Sequence, residues 1–227
     1  MPTDAFEMAL VHRVFRCELE IAPELIRSVQ PGQHGRAKRA AGHIQNVLAA
    51  LHHHHMAEDE LLWPKLSARI PVHARDIRCM ETEHEFIAKS VISVKLCLAE
   101  WVSAAASPIV HPAAQARATD VLLAELKSLA ELVGEHLSAE EERVVPLVNE
   151  NLSDAEWRAV TERGASFLTG RNMWFGLAFV AMALETCTAD ERRRFLAGMP
   201  PPQRWLVRLF ARRVAEGYRA RLERMGD

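Results

Sequence analysis

His52-His53-His54-His55-Met56-Ala57-Glu58-Asp59-Glu60-Leu61-Leu62-Trp63-Pro64 reads as a helix that carries metal ligands and stops just past its proline. Residues four apart share a helix face, so His54 pairs with Glu58 and His55 with Asp59. His54 also shares its face with Val47, Leu51 and Leu61. One His/carboxylate pair therefore points into an apolar core. A bare carboxylate there is very costly unless it is paired or bound to a metal. The plain alternative is a solvated polar run or an expression tag. Tags sit at chain ends, however, and this run lies inside a helical pattern.

The layout recurs in His136-Leu137-Ser138-Ala139-Glu140-Glu141-Glu142-Arg143-Val144-Val145-Pro146-Leu147. Again a His is followed by a carboxylate four residues on, a second acid, two apolar residues and a Pro. His136 shares a face with Leu129, Leu132, Val133 and Leu147. Two helices that each point a His and a Glu inward are the parts of a two-metal site in a bundle core.

Strand signals are nearly absent outside these copies, and helical periodicity runs throughout. The pattern predicts an all-α protein. An up-down-up-down four-helix bundle is expected over residues 1–151, with a C-terminal helical extension over 152–227 packed on it. The four long helices are expected at about Asp4–Val29, Gly35–Leu66, Val72–Ala106 and Pro112–Asn149. Asp4 with Glu7 fits a capped start, and Pro23 is a candidate kink. His12 shares a face with Met8, Phe15 and Leu19. A lone His on such a face is ordinarily a core histidine, and only the other donors make it a ligand candidate. His84 shares its face with Ile77, Met80, Glu81, Ile87 and Val91, so Glu81 reads either as a further ligand or as an exposed acid. His34, His43, His73 and His111 read as surface residues.

The tail opens on two capping boxes, Ser153-Asp154-Ala155-Glu156 and Thr188-Ala189-Asp190-Glu191, with an apolar helix Asn172–Thr186 between them. Pro200-Pro201-Pro202 forms a stiff break. In the last helix Trp205, Leu209 and Val214 are expected inward, and Arg204, Arg208, Arg212, Arg219 and Arg224 outward. That helix reads as a packed element with a solvated Arg face, the alternative being an anchor for an anionic surface.

The chain has 227 residues, 49% hydrophobic and 26% charged, enough for one or two domains with a real core. A net charge of −2 favours no nucleic-acid partner. No secretory signal is visible, and the longest apolar run, Met173–Leu184, is too short to span a bilayer. Cys17, Cys79, Cys97 and Cys187 are scattered without a Cys-x-x-Cys. They are expected as reduced core thiols of a cytoplasmic protein.

With His12, His54-x-x-x-Glu58, His84 and His136-x-x-x-Glu140 in hand, the chain resembles the hemerythrin-like (HHE cation-binding) family over about residues 1–150. The order of donors is the family's. The resemblance implies two iron ions in a non-haem centre, bridged by Glu58 and Glu140, with His12, His54, His84 and His136 completing it. Glu141 is the rival to Glu140, because family members place the last acid four or five residues after the His. Imidazole and carboxylate donors also suit zinc or manganese.

One departure stands out. Oxygen carriers of the family have a second His four residues before the third-helix His, and here that position is Met80. Either Glu81 substitutes or one iron keeps an extra open position. His52 and His55 are candidates for additional metal ligands, and they and His53 for outer donors or proton relays, exposure being the expected fate of His53. The function expected is the handling of dioxygen, hydrogen peroxide or nitric oxide, leaning to oxidase or catalase-like peroxide chemistry. A gas carrier or sensor, and an iron store or iron sensor, are the rival classes.

Overall fold

The computed structural model describes residues 3–106 and 112–223. The expected Ser107-Pro108 loop, the surface placement of His111 and the outward side of Arg224 fall outside the described residues. Among the described residues there is no β-strand. Four long helices, α1 (Phe6–Arg27), α2 (His34–Ala57), α4 (Ala74–Ala106) and α5 (Pro112–Arg143), dominate the first two thirds of the chain. Helix α1 packs on α2 and α5, and α4 packs on the same two. The short α3 (Trp63–Arg69) and α6 (Val145–Asn151) follow the two His-x-x-x-Glu segments.

Proline shapes both segments in the same way. Pro64 and Pro146 each lie six residues after the inward Glu. A proline offers no N–H to the carbonyl four residues back, and its ring crowds that carbonyl. The chain after Ala57 responds with a π turn over Glu58–Leu62, in which the Trp63 N–H reaches the Glu58 carbonyl. After α5 the ladder breaks at Val144 and restarts as α6. The single helix expected to run from Gly35 to Leu66 is thus three segments. A turn over Pro71–His73 also precedes α4. Pro23 is carried inside α1 without ending it.

Apolar residues at helical spacing build two clusters. The first includes Phe15 and Leu19 of α1, Val47 and Leu51 of α2, Ile87 and Val91 of α4, and Leu129 and Val133 of α5. The second gathers Met8, Leu62, Trp63, Ile77, Met80, Val144 and Trp157. On each long helix the ligand candidates fall between a residue of one cluster and a residue of the other. The candidate site is therefore walled off by apolar packing on both sides.

The remaining helices wrap this body. They are α7 (Asp154–Gly164), α8 (Met173–Thr186), α9 (Ala189–Gly198) and α10 (Pro201–Glu223). Both capping boxes of the tail form, with Ser153 bonded to Glu156 and Thr188 to Glu191. Helix α7 packs on α2, α8 on α1, and α10 on α8 and α2. Gly176 lets α8 lie against the turn at residues 165–168, because a Cβ there would fall on the Leu168 carbonyl oxygen. No single helix among the described residues is long and apolar enough to cross a membrane.

Several expectations need correction. Helix α1 has no side-chain cap; Asp4 pairs with Arg194, and Glu7 accepts from the Trp157 indole. Cys17 and Cys79 are exposed, so neither is a core thiol, while Cys97 and Cys187 are half-buried against apolar clusters. His43 is buried, at 3% exposure, because Glu18 and Tyr218 satisfy both ring nitrogens. Val214 packs on the first cluster as expected, but the rest of the inward face of α10 is Val207, Ala211 and Ala215, against Ala181 and Leu184. Trp205 stands 61% exposed, with Leu209 outward beside it. Two small alanines let α10 approach α8 closely, which the bulkier Trp205/Leu209 face does not. Arg204 is turned inward, donating to the Ala197 and Met199 carbonyls at the end of α9.

Candidate metal centre

The four long helices deliver their donors to one level. His12 comes from the first turns of α1, His54 and His55 from the last turn of α2, and Glu58 from the π turn. His84 comes from the first half of α4, and His136 and Glu140 from the end of α5. They fall into two groups. His12, His54, Glu58 and Glu140 place one donor atom each within 4.8 Å of one another, and so do His55, His84 and His136.

The two carboxylates lie between the groups. Glu58 Oε1 is 3.2 Å from His54 Nε2, while its Oε2 is 3.6 Å from His84 Nε2. Glu140 Oε2 is 3.4 Å from His12 Nε2 and 3.8 Å from His136 Nε2. Within the groups, His12 Nε2 and His54 Nε2 approach to 3.0 Å, and His84 Nε2 and His136 Nε2 to 3.1 Å. His55 stacks on His84, with ring centres 4.1 Å apart.

A carboxylate stands behind three of the five imidazoles. The Nδ1–H groups of His12, His84 and His136 donate to Glu141 (2.8 Å), Asp59 (2.7 Å) and Glu83 (2.8 Å). Arg16 also donates to Glu141, and the Trp63 indole to Asp59. A proton held on Nδ1 leaves the Nε2 lone pair free to face inward. This separates the paired acids. Glu58 and Glu140 point inward, while the next residue on each helix, Asp59 or Glu141, braces a His of a neighbouring helix.

Burial dominates the electrostatics. It lowers the pKa of His12, and with neighbouring imidazoles it holds His54 and His55 well below the usual range. His136 falls to about 4, chiefly through burial. Glu58 is raised well above the carboxylate range by burial and then by the charge of Glu140. Glu140 is pushed up to about 8 by burial and then by Glu141, Glu83 and Asp59. Burial also raises Glu141, but the bonds from His12 and Arg16 outweigh it and the net shift is downward.

All four carboxylate oxygens of Glu58 and Glu140, and His55 Nε2, are buried without a hydrogen-bond partner. Orphaned buried acceptors of this kind are rare and costly. Cations set among them would satisfy them all, and the donor set of imidazole and carboxylate suits iron, zinc or manganese.

Sequence spacing singled out most of these residues. His55, expected as a further metal ligand or an outer donor, groups with His84 and His136. His52 and Glu81 are exposed and join neither group. His53 is half-buried, stacked on Phe167 at 5.2 Å, because the tail covers it. Met80 is buried with Trp63 and Ile77. Glu83 and the bracing role of Asp59 were missed, although the doubled acid in both copies carried a signal for the latter.

Two imidazole groups spanned by buried carboxylates in a helical core define a cation-binding protein. Residues 5–148 match the hemerythrin HHE cation binding domain, and the chain belongs to that family. No curated protein and no solved structure matches it.

Proposed function

We propose that the chain is a diiron protein with Glu58 and Glu140 as bridges, and that it handles dioxygen, hydrogen peroxide or nitric oxide. The observation that carries this reading is the placement of both carboxylates within 3.2–3.8 Å of imidazole nitrogens from both groups. His12 and His54 serve one ion, and His55, His84 and His136 the other. The fold that fits is an up-down-up-down bundle over residues 1–151, because donors come alternately from the start and end of successive long helices. Residues 152–227 form the extension, and four free cysteines accord with a reducing, cytoplasmic setting.

When bound, iron supplies one-electron redox chemistry toward small oxygen or nitrogen species. The chain's own residues set the conditions. Glu141, Asp59 and Glu83 fix the tautomer of three imidazoles and make them stronger donors. Phe15 and Trp63 pack on His54 and His84 and keep bulk water out. Anionic braces behind the imidazoles favour the higher oxidation state, which supports oxidative or peroxide chemistry. His55 gives the second group a third imidazole although Met80 supplies none. That third imidazole also favours the second reading, a carrier or sensor of a diatomic gas.

Metal analysis with an anaerobic-to-aerobic visible spectrum tests the proposal. About two irons per chain are expected, with oxidation to the ferric state and peroxide breakdown that disappears in Glu58→Ala. One tightly held zinc with no second metal after iron reconstitution would overturn the diiron reading. A stable oxygen adduct that bleaches under vacuum would select the carrier.

A further inference from the structure

Tyr218 is the single tyrosine of the chain. Its hydroxyl lies 3.1 Å from His43 Nδ1, and His43 Nε2 lies 2.9 Å from Glu18 Oε2. Helices α10, α2 and α1 each contribute one member, and none belongs to the two metal groups. His43 and Glu18 are buried, at 3% and 4% exposure. Glu18 accepts from Nε2–H, which leaves Nδ1 as the lone pair that accepts from the phenol. Tyr218 thus has a proton acceptor already in place, with a carboxylate behind it to balance an imidazolium. Burial also pushes the phenol up to about 12, so it stays protonated at neutral pH.

Packed rings join this triad to the candidate centre. Tyr218 lies 6.1 Å from Phe175, Phe175 6.0 Å from Phe179, and Phe179 5.6 Å from Phe15, centre to centre. Phe15 lies 5.5 Å from His54. The phenylalanines take no charge themselves. They provide an unbroken, dry packing between the one phenol and a ligand candidate.

We propose that Tyr218 is a redox-active residue that reduces the oxidised iron centre by one electron while its proton passes to His43. The proposal rests on the diiron reading. The Tyr218 O–H bond breaks and an Nδ1–H bond forms on His43. The electron leaves the ring for iron of the centre that hydrogen peroxide has oxidised beyond the ferric state, and the charge of that iron falls by one. A neutral tyrosyl radical then stands beside an imidazolium held by Glu18. Tyr218 is only half-buried, so a dissolved reductant can reach it. The residue gives the oxidised centre an outlet when no substrate is present.

Two arms test this, both read by electron paramagnetic resonance. In the first, iron-loaded full-length protein is treated with hydrogen peroxide and frozen. An organic radical is expected whose splitting changes with ring-deuterated tyrosine and which vanishes in Tyr218→Phe. In the second, metal-free protein is photo-oxidised with a ruthenium tris-bipyridyl complex and persulfate. The same signal is expected, and His43→Gln, which keeps an acceptor but a far weaker base, slows its formation by about a hundredfold. Iron that loads and oxidises without any tyrosyl signal overturns the link to the centre. A signal that forms equally fast in His43→Gln overturns the proton transfer. If no iron loads, the diiron reading fails and with it the link, while the photochemical arm still decides the Tyr218–His43 pair.

Discussion

In the proposed centre each carboxylate serves two ions and each imidazole one. Glu58→Ala and Glu140→Ala are expected to lose both metals, and His12→Ala or His55→Ala mainly one, as counted by metal analysis. Equal losses from all four would argue against the bridges. Glu141→Ala should keep both ions with affinity lower by roughly 10–100-fold, since it acts through His12. Protons give a second check. Glu140 is raised in the fold to about 8 from the usual 4.5, so the metal-free fold holds a proton that the unfolded chain has lost. Its contribution to stability is present below 4.5 and lost as pH rises through 8. His136 works in the opposite direction, losing its contribution as pH falls from 6.5 through about 4. Between 6.5 and 8 only the carboxyls act, so the metal-free protein should melt lower as pH rises. Glu140→Gln should flatten that fall, and an unchanged slope would show that the carboxyl is not buried as described.

Helix ends and close approaches carry the predictions at the next scale. Gly176 sits where a Cβ would meet the Leu168 carbonyl, backbone that cannot swing away. Gly176→Ala is expected to cost about 1–3 kcal/mol by denaturant unfolding, despite the better helix propensity of alanine. Glu156 is held down to about 2 by Arg69 and the Ser153 cap. Glu191 is likewise held to about 2, by Arg13 and the Thr188 cap. Carboxyls with depressed folded pKa values stabilise above the usual 4.5 and lose that contribution as pH falls toward 2. Amides of α7 and α9 should therefore lose protection relative to their intrinsic exchange rates across that window, ahead of those in α2 and α4. Uniform exchange would show that the caps do not hold these helices.

Across the whole molecule, the tail is bound to the body by named contacts. Phe179 packs on Phe15, Arg163 donates to Glu60, and Trp157 to Glu7. Removing residues beyond Asn151 takes no ligand candidate but strips the cover from Phe15 and leaves His43 without Tyr218. The truncated chain should lose at least about 3–5 kcal/mol, the cost of deleting one buried aromatic. Iron should raise its melting temperature again by mass action. A truncated chain that folds but binds no iron would make the tail part of the site.

Spacing alone, in His54-x-x-x-Glu58 and its copy at His136, made the helical class and the inward His/Glu pairs legible. The capping boxes at Ser153 and Thr188 were legible too, because a cap is chemistry within four residues. What failed to be legible depended on neighbours. That His55 groups with His84 and His136 was not legible, because a helix period fixes a face, not which residues of other helices meet it. Glu83 rather than Glu81 braces a ligand candidate because α5, not α4, decides which side of α4 is covered. His43 is buried only because Glu18 and Tyr218 arrive from other helices to satisfy it. The last helix turned its alanines inward for the same reason, since close approach to α8 is a property of the pair. Tertiary structure alone decides such matters, because the cost of burying a polar group or exposing an apolar one is set by the atoms that meet it.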